Sequence, residues 1–358
     1  MNIPQYFSDS YPQARQHFVR LCEHHGYELT SIKNEAVQGP DGGELYIDVA
    51  TCGPQDASKL LVLFSATHGV EGYCGSGIQN ALLGESVLGG AQPDLRVVLV
   101  HGVNPYGFAH NRRVNEDNID LNRNFIDFGT EIPADNGYGD IHEWLVPAEW
   151  SGPARKAADA GLAAYAQTHG PAAFQQAATG GQYTHPNGLF YGGVQTSWSA
   201  QTVLDQVHSL ASGVERACFI DFHTGLGPYG HGEMIAAGYP PQVQRTFKFF
   251  HGYQVTDPDA GTSSSAPIQG TMAHGLERRL ADVETIFIAL EYGTLPMKEV
   301  MTALRADNWL YNAGEMHTPD GVAIKKQIRD AFFCDEDRWK EMVYERAADV
   351  VQAALQRL

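Results

Sequence analysis

Four residues of types that hydrolytic metal chemistry uses each stand at the end of an apolar run. His68 and Glu71 follow Leu60–Phe64, three positions apart between glycines, in the stretch LLVLFSATHGVEGY. His223 follows Ala217–Asp221, and Glu291 follows Thr285–Leu290. Two imidazoles and a carboxylate are a common ligand set for catalytic zinc, with a fourth position left open. A further carboxylate that is not a ligand could take a proton from water there. Taken singly, a histidine at a strand end is more often hydrogen-bonded structure, and Glu291 could cap a turn. Their shared placement is what joins them.

The elements that must position these groups are legible as patterns. Apolar runs without polar alternation read as strands buried on both faces, as in a parallel or mixed sheet covered by helices. In such a sheet, ligands bind at the carboxyl ends of the strands, where glycine also lets the backbone turn off sharply. Leu95–Val100 reads as another buried strand and Met234–Ala237 as a further one, while Leu45, Ile47 and Val49 alternate like a half-exposed strand. Ser10 with Pro12 marks a helix start, and Ile78, Ala81 and Leu82 fall within another helix. Trp339, Met342, Val343, Val350, Val351, Ala354 and Leu355 form one stripe of a closing amphipathic helix. The expected fold class is α/β: a single domain over residues 1–358 with a central mixed sheet flanked by helices. A long excursion at about 126–217, including an Ala-rich helix at Ala154–Gln167, belongs to it, because no linker separates the two.

Composition narrows the function classes. Of 358 residues 43% are hydrophobic, ample for a large core, and 42 acidic against 24 basic residues give a formal charge of −18. Such a field repels nucleic acid and anionic membranes, so neither is an expected partner. Five scattered cysteines with no C-x-x-C spacing read as reduced thiols. With no leader-like N-terminus and no run long enough to span a bilayer, the expected location is cytoplasmic.

The polar stretch NPYGFAHNRRVNEDNIDLNRNF, Asn104 to Phe125, has the composition of a solvated loop, yet it leaves a buried strand end on the same side of the sheet as His68. In order, the chain carries His68-x-x-Glu71, Asn104-Pro105-x-Gly107, Arg113, Asp120-Leu121-Asn122-Arg123-Asn124-Phe125, His223 and Glu291. This series resembles the zinc carboxypeptidases of the carboxypeptidase A type over roughly Leu60 to Gly293. It is similar in part to aspartoacylase and succinylglutamate desuccinylase, and as a set to an uncharacterised bacterial branch of that superfamily. HxxE alone occurs often by chance; the full ordered series is specific.

The resemblance implies one zinc ion held by His68, Glu71 and His223, with Glu291 as the base toward the attacking water. It implies that Arg113 polarises the scissile carbonyl, that Asn122 and Arg123 grip a free substrate carboxylate, and that Asp120 orients His68 from behind. Arg112 adjoins Arg113, and spacing to Asp120 favours Arg113. The implied activity is hydrolysis of an amide beside a free carboxylate, by a peptidase or by an N-acyl amino acid amidohydrolase. The substrate would be a small peptide or N-acyl amino acid. The gap from Glu71 to His223 is longer than in a digestive-type enzyme, and Tyr183–Gly193 is expected to wall the cleft. Tyr229, Tyr239, Tyr253 and Tyr292 are all candidates for a site-closing tyrosine. Three other readings compete. The glycines Gly69, Gly72, Gly75 and Gly77 suggest a phosphate loop, but their spacing is wrong and Glu71 would repel phosphate. Cys74-Gly75-Ser76-Gly77 lacks the first glycine of a nucleophile elbow. A metal site that binds without catalysis is the third, and the presence of Glu291 and Arg113 argues against it.

Overall fold

Eight strands form one mixed sheet in the computed structural model, which describes residues 2–89, 92–130, 132–314 and 316–358. They are β1 (Glu28–Lys33), β2 (Tyr46–Cys52), β3 (Lys59–Phe64), β4 (Leu95–His101), β5 (Arg216–Tyr229), β6 (Gly232–Ala236), β7 (Val255–Thr256) and β8 (Glu284–Gly293). Their order across the sheet is β1-β2-β4-β3-β5-β8-β6-β7. The four central strands β4, β3, β5 and β8 run parallel, whereas β2 and β6 are antiparallel to their inner neighbours. The α/β class with a central mixed sheet is therefore the observed one.

The central strands carry apolar side chains on both faces because both faces are covered. In β3, Leu61 and Leu63 join one core with Ala81, Leu82 and Trp339, while Leu60, Val62 and Phe64 join a second with Val203 and Val207. β1 escapes the apolar-run criterion because it is an edge strand with no fully buried residue. The helix Gly72–Gly84 is buried along nearly its whole length. Its glycines serve close packing: a Cβ on Gly72 would meet Phe108, one on Gly77 the ring of Phe7, and one on Gly84 the ring of Tyr6.

Between β4 and β5 lies the longest crossover, which contains the helices Tyr138–Leu145, Gly152–His169, Pro171–Thr179 and Trp198–Leu210. It starts at the carboxyl edge of the sheet and ends at the opposite edge, where Arg216 pairs with Lys59. Among the described residues no helix is long and apolar enough to cross a membrane, and the five cysteines are free.

Candidate metal centre

The turn after β3 is built differently from the glycine hinge that the sequence suggests. The left-handed residue is Ala66, with φ 61°, whereas Gly69 and Gly72 have ordinary helical backbone. Gly69 is needed for approach instead: a Cβ there would run into the backbone of Gly107. Gly69 N and Val70 N donate to the carbonyls of Arg113 and Arg112 at 3.0 and 2.8 Å. Asn104 caps the short helix Pro105–Ala109 by accepting from Gly107 N at 2.8 Å, so the ligand turn and the arginine segment are locked together.

His68, Glu71 and His223 converge, their candidate ligand atoms all lying within 4.8 Å of one another. Both imidazoles offer the same nitrogen: His68 Nδ1 is 2.9 Å from Glu71 Oε1, His223 Nδ1 is 2.9 Å from Glu71 Oε2, and the two Nδ1 atoms are 3.2 Å apart. Behind them, His68 Nε2 faces Asp120 Oδ1 at 3.1 Å and His223 Nε2 faces Asp221 Oδ2 at 2.7 Å. A ring proton held on each Nε2 leaves each Nδ1 lone pair pointing inward, the arrangement a metal ligand requires. The donor set therefore fits a divalent cation, and its His2Glu composition suits zinc.

Charges around this set are tightly balanced. Burial pushes the Glu71 carboxyl up, but His68 and His223 outweigh it and hold it below the usual carboxylate range. Burial lowers His223, yet Asp221 and Glu71 raise it well above an ordinary imidazole. Arg113 Nη1 donates to Glu71 Oε1 at 2.8 Å and its Nε to Asp120 Oδ2 at 3.1 Å. Its Nη2 also lies 2.8 Å from His68 Nε2. That nitrogen can donate to Asp120 or accept from Arg113, not both at once, and ligation through Nδ1 requires the former.

Glu291 pairs across the sheet with His223 but stands outside the ligand cluster. Its Oε1 accepts from Leu226 N at 2.9 Å. Burial and the neighbouring Glu71 carboxylate push its carboxyl up to about 8, against the opposing pull of His223, the Leu226 N–H and Arg113. Across the next pair, Glu233 faces Glu291 in register but turns its carboxylate to the hydroxyls of Thr256 and Ser264.

A cavity of about 130 Å³ is lined by His68, Arg113, Asn122, Arg123, His223 and Glu291 together. Asn122 Oδ1 accepts from Met272 N at 3.0 Å, and its Nδ2 lies 3.4 Å from His223 Nε2. Arg123 is 3% exposed and donates to the carbonyls of Asn122 and Thr179, while its Nε has no partner among the described residues. Arg112 turns away, donating to Asp307 Oδ2 at 3.1 Å and stacking on Tyr311. The outer walls are apolar side chains such as Ile235, Val243, Phe287 and Ala289, and Thr179 and Phe190 reach in from the long crossover. None of the four candidate tyrosines lines this cavity; the Tyr292 hydroxyl is buried, and Tyr229 bonds Glu336. Sequence reasoning passed over Asp221, although positions i and i+2 of a strand share a face and the run ACFIDFH places it beside His223. Phe190 left no comparable signal.

Residues 7–346 match the family model described as "Protein of unknown function (DUF2817)". The chain belongs to the DUF2817 family. No curated protein matches it. Among solved structures, this DUF2817 chain is similar to the carboxypeptidase A from Helicoverpa armigera, at 13% identity over 90% of this chain and 74% of that one, with a TM-score of 0.47. Bovine thrombin-activatable fibrinolysis inhibitor gives 10% identity, 95% and 99% coverage and a TM-score of 0.44. An aspartoacylase family protein from Mesorhizobium loti gives 13%, 80% and 67%, and 0.38. At such scores the chemistry rests on the residues themselves.

Proposed function

We propose that this chain is a zinc-dependent hydrolase that cleaves an amide bond beside a free carboxylate, acting as a metallocarboxypeptidase-type peptidase. One observation carries the reading. His68 and His223 of the His-Glu-His donor set, the non-ligand carboxylate Glu291 and the buried Arg123, whose Nε has no partner among the described residues, line one cavity. Zinc held by His68, Glu71 and His223 would supply a Lewis acid and lower the pKa of water beside it.

The remaining roles belong to the chain. Glu291, oriented by the Leu226 N–H, accepts the proton of the attacking water and returns it to the departing amine. Arg113 reaches the cavity with a fixed positive charge, placed to favour the carbonyl oxygen as it becomes negative. Arg123, with Asn122 beside it, pairs with the substrate carboxylate, for which a guanidinium offers two parallel donors. Asp120 and Asp221 keep the histidines in the ligating tautomer.

The cavity's volume of about 130 Å³ favours small substrates, which supports a second reading as an N-acyl amino acid amidohydrolase. The deciding experiment combines metal analysis with turnover of a mixed set of short peptides and N-acyl amino acids, each also tested with its carboxylate amidated. Equal rates on free and amidated members would sink both readings.

A further inference from the structure

We propose that Phe190 is a positioning residue that holds Arg123, the carboxylate-binding arginine, in place beside Arg113, an inference that rests on the carboxylate role of Arg123 proposed above. The ring centroid lies 5.4 Å from the Arg113 guanidinium carbon and 5.6 Å from that of Arg123. Both distances fall within the range of cation–π attraction, which strengthens where water is excluded. Phe190 is 6% exposed and lines the cavity beside both arginines.

The placement is imposed on the backbone. Phe190 has φ 52°, a conformation that a bulky residue adopts only where its surroundings over-determine it. Those surroundings are present: Phe190 O accepts from Gln182 N at 3.1 Å, Gly192 N donates to Gln182 O at 2.8 Å, and Leu189 N donates to the buried Tyr138 hydroxyl at 2.8 Å. The long crossover thus holds one aromatic ring in a strained geometry against two cations.

Two like charges need such a device. Asp120 is the carboxylate near both guanidiniums, at 3.1 Å from Arg113 Nε and 4.0 Å from Arg123 Nη1. Glu71 pairs with Arg113 alone, at 2.8 Å, and belongs to the proposed metal site, so Asp120 is the carboxylate shared by both cations and the two guanidiniums still repel each other. The π-face of Phe190 lies against both guanidiniums and eases that repulsion without a further carboxylate. A plain apolar wall would serve burial equally well, so the variants must separate a ring face from mere bulk.

The test uses the full-length, zinc-loaded protein and the non-cleavable probe hexanoate, with hexanamide as its uncharged partner, by calorimetry. Phe190→Leu should weaken hexanoate binding about tenfold, with a clearly smaller loss for hexanamide, zinc content close to wild type and a Tm lowered by a few degrees. Phe190→Tyr, which keeps the ring, should stay within about twofold. Phe190→Met replaces the leucine variant if that one does not fold. Full hexanoate affinity in the leucine or methionine variant, or an equal loss in Phe190→Tyr, would overturn the proposal. Wild type that fails to prefer hexanoate over hexanamide would instead remove the carboxylate reading. In that event phenylglyoxal labelling of Arg113 and Arg123, followed by peptide mass spectrometry, still judges the ring. Faster labelling in Phe190→Leu supports positioning, and unchanged rates overturn it.

Discussion

Asp221 Oδ2 lies 2.7 Å from Nε2 of His223, two positions farther along the same strand. Its other oxygen accepts from the Thr67 hydroxyl at 2.8 Å, so the carboxylate is fixed from both sides. Asp221→Asn keeps the shape but removes the charge that favours a proton on Nε2. Zinc affinity, measured by competition with a chelating dye, should drop about 10- to 100-fold. An unchanged affinity would show that His223 needs no such partner.

The three proposed ligands should behave unlike histidines elsewhere in the chain. His223→Ala and Glu71→Gln should each lose most of the roughly one zinc per chain expected of the wild type, as read by elemental analysis. His142 and His185, whose rings lie tilted against each other at 4.1 Å between centroids in the long crossover, supply the control. Their alanine variants should keep full metal, and a loss there equal to that of His223→Ala would undo the ligand assignment.

Glu291→Gln separates a base from a ligand. The amide retains the shape and the acceptor for Leu226 N but cannot take a proton. Zinc content and KM should stay near wild type while kcat falls by at least ~10². Loss of zinc would make Glu291 a ligand, and near-normal kcat would leave the mechanism without its base.

The same residue makes stability depend on pH once zinc is chelated. Its carboxyl is pushed up to about 8 from an ordinary 4.5. Between those values the folded chain binds a proton that the unfolded chain has released, so rising pH withdraws stability. The penalty is absent below the unfolded pKa and complete above the folded one. Glu291→Gln should therefore raise Tm relative to wild type at about pH 9 and not at about pH 4.5, and added zinc should shrink the difference by favouring the carboxylate. A Tm difference independent of pH would contradict the buried, proton-holding carboxyl.

Gly69→Ala tests the contact between the ligand turn and the arginine segment. The new methyl group cannot coexist with the Gly107 backbone, so the turn must shift and carry His68 and Glu71 with it. A cost on the order of 2–3 kcal/mol and weakened zinc binding should appear together in denaturant and metal titrations. Gly42→Ala is a useful comparison: its φ of 79° is strained, but nothing lies within 4 Å of its Cβ position, so it should affect stability without touching metal.

Much of the site was legible because its residues sit at the ends of continuous apolar runs, and a buried strand announces both itself and its last residues. Leu60–Phe64, Ala217–Asp221 and Thr285–Leu290 delivered His68, His223 and Glu291 to one edge of the sheet, where β3, β5 and β8 run parallel. β1 was silent because an edge strand needs no apolar face. Phe190 was silent for another reason: a left-handed backbone at a phenylalanine is set by distant partners such as Tyr138, which local pattern does not encode. The hinge at Ala66 escaped similarly, since neighbouring glycines are the more usual carriers of positive φ.

The crossover between β4 and β5 has a consequence for how such a protein can change over time. β4 and β5 flank β3, so chain leaving β4 must pass the carboxyl edge where His68 stands before it can begin β5. Any segment lengthened or exchanged at that point lands beside the cleft by topology alone. His223 and Glu291 lie on strands, and His68 and Glu71 on the turn that follows β3, whereas Thr179 and Phe190 come from the crossover. Selection, or an engineer grafting loops beyond Arg123, can therefore retune what enters the cleft while leaving His68, Glu71, His223 and Glu291 in place.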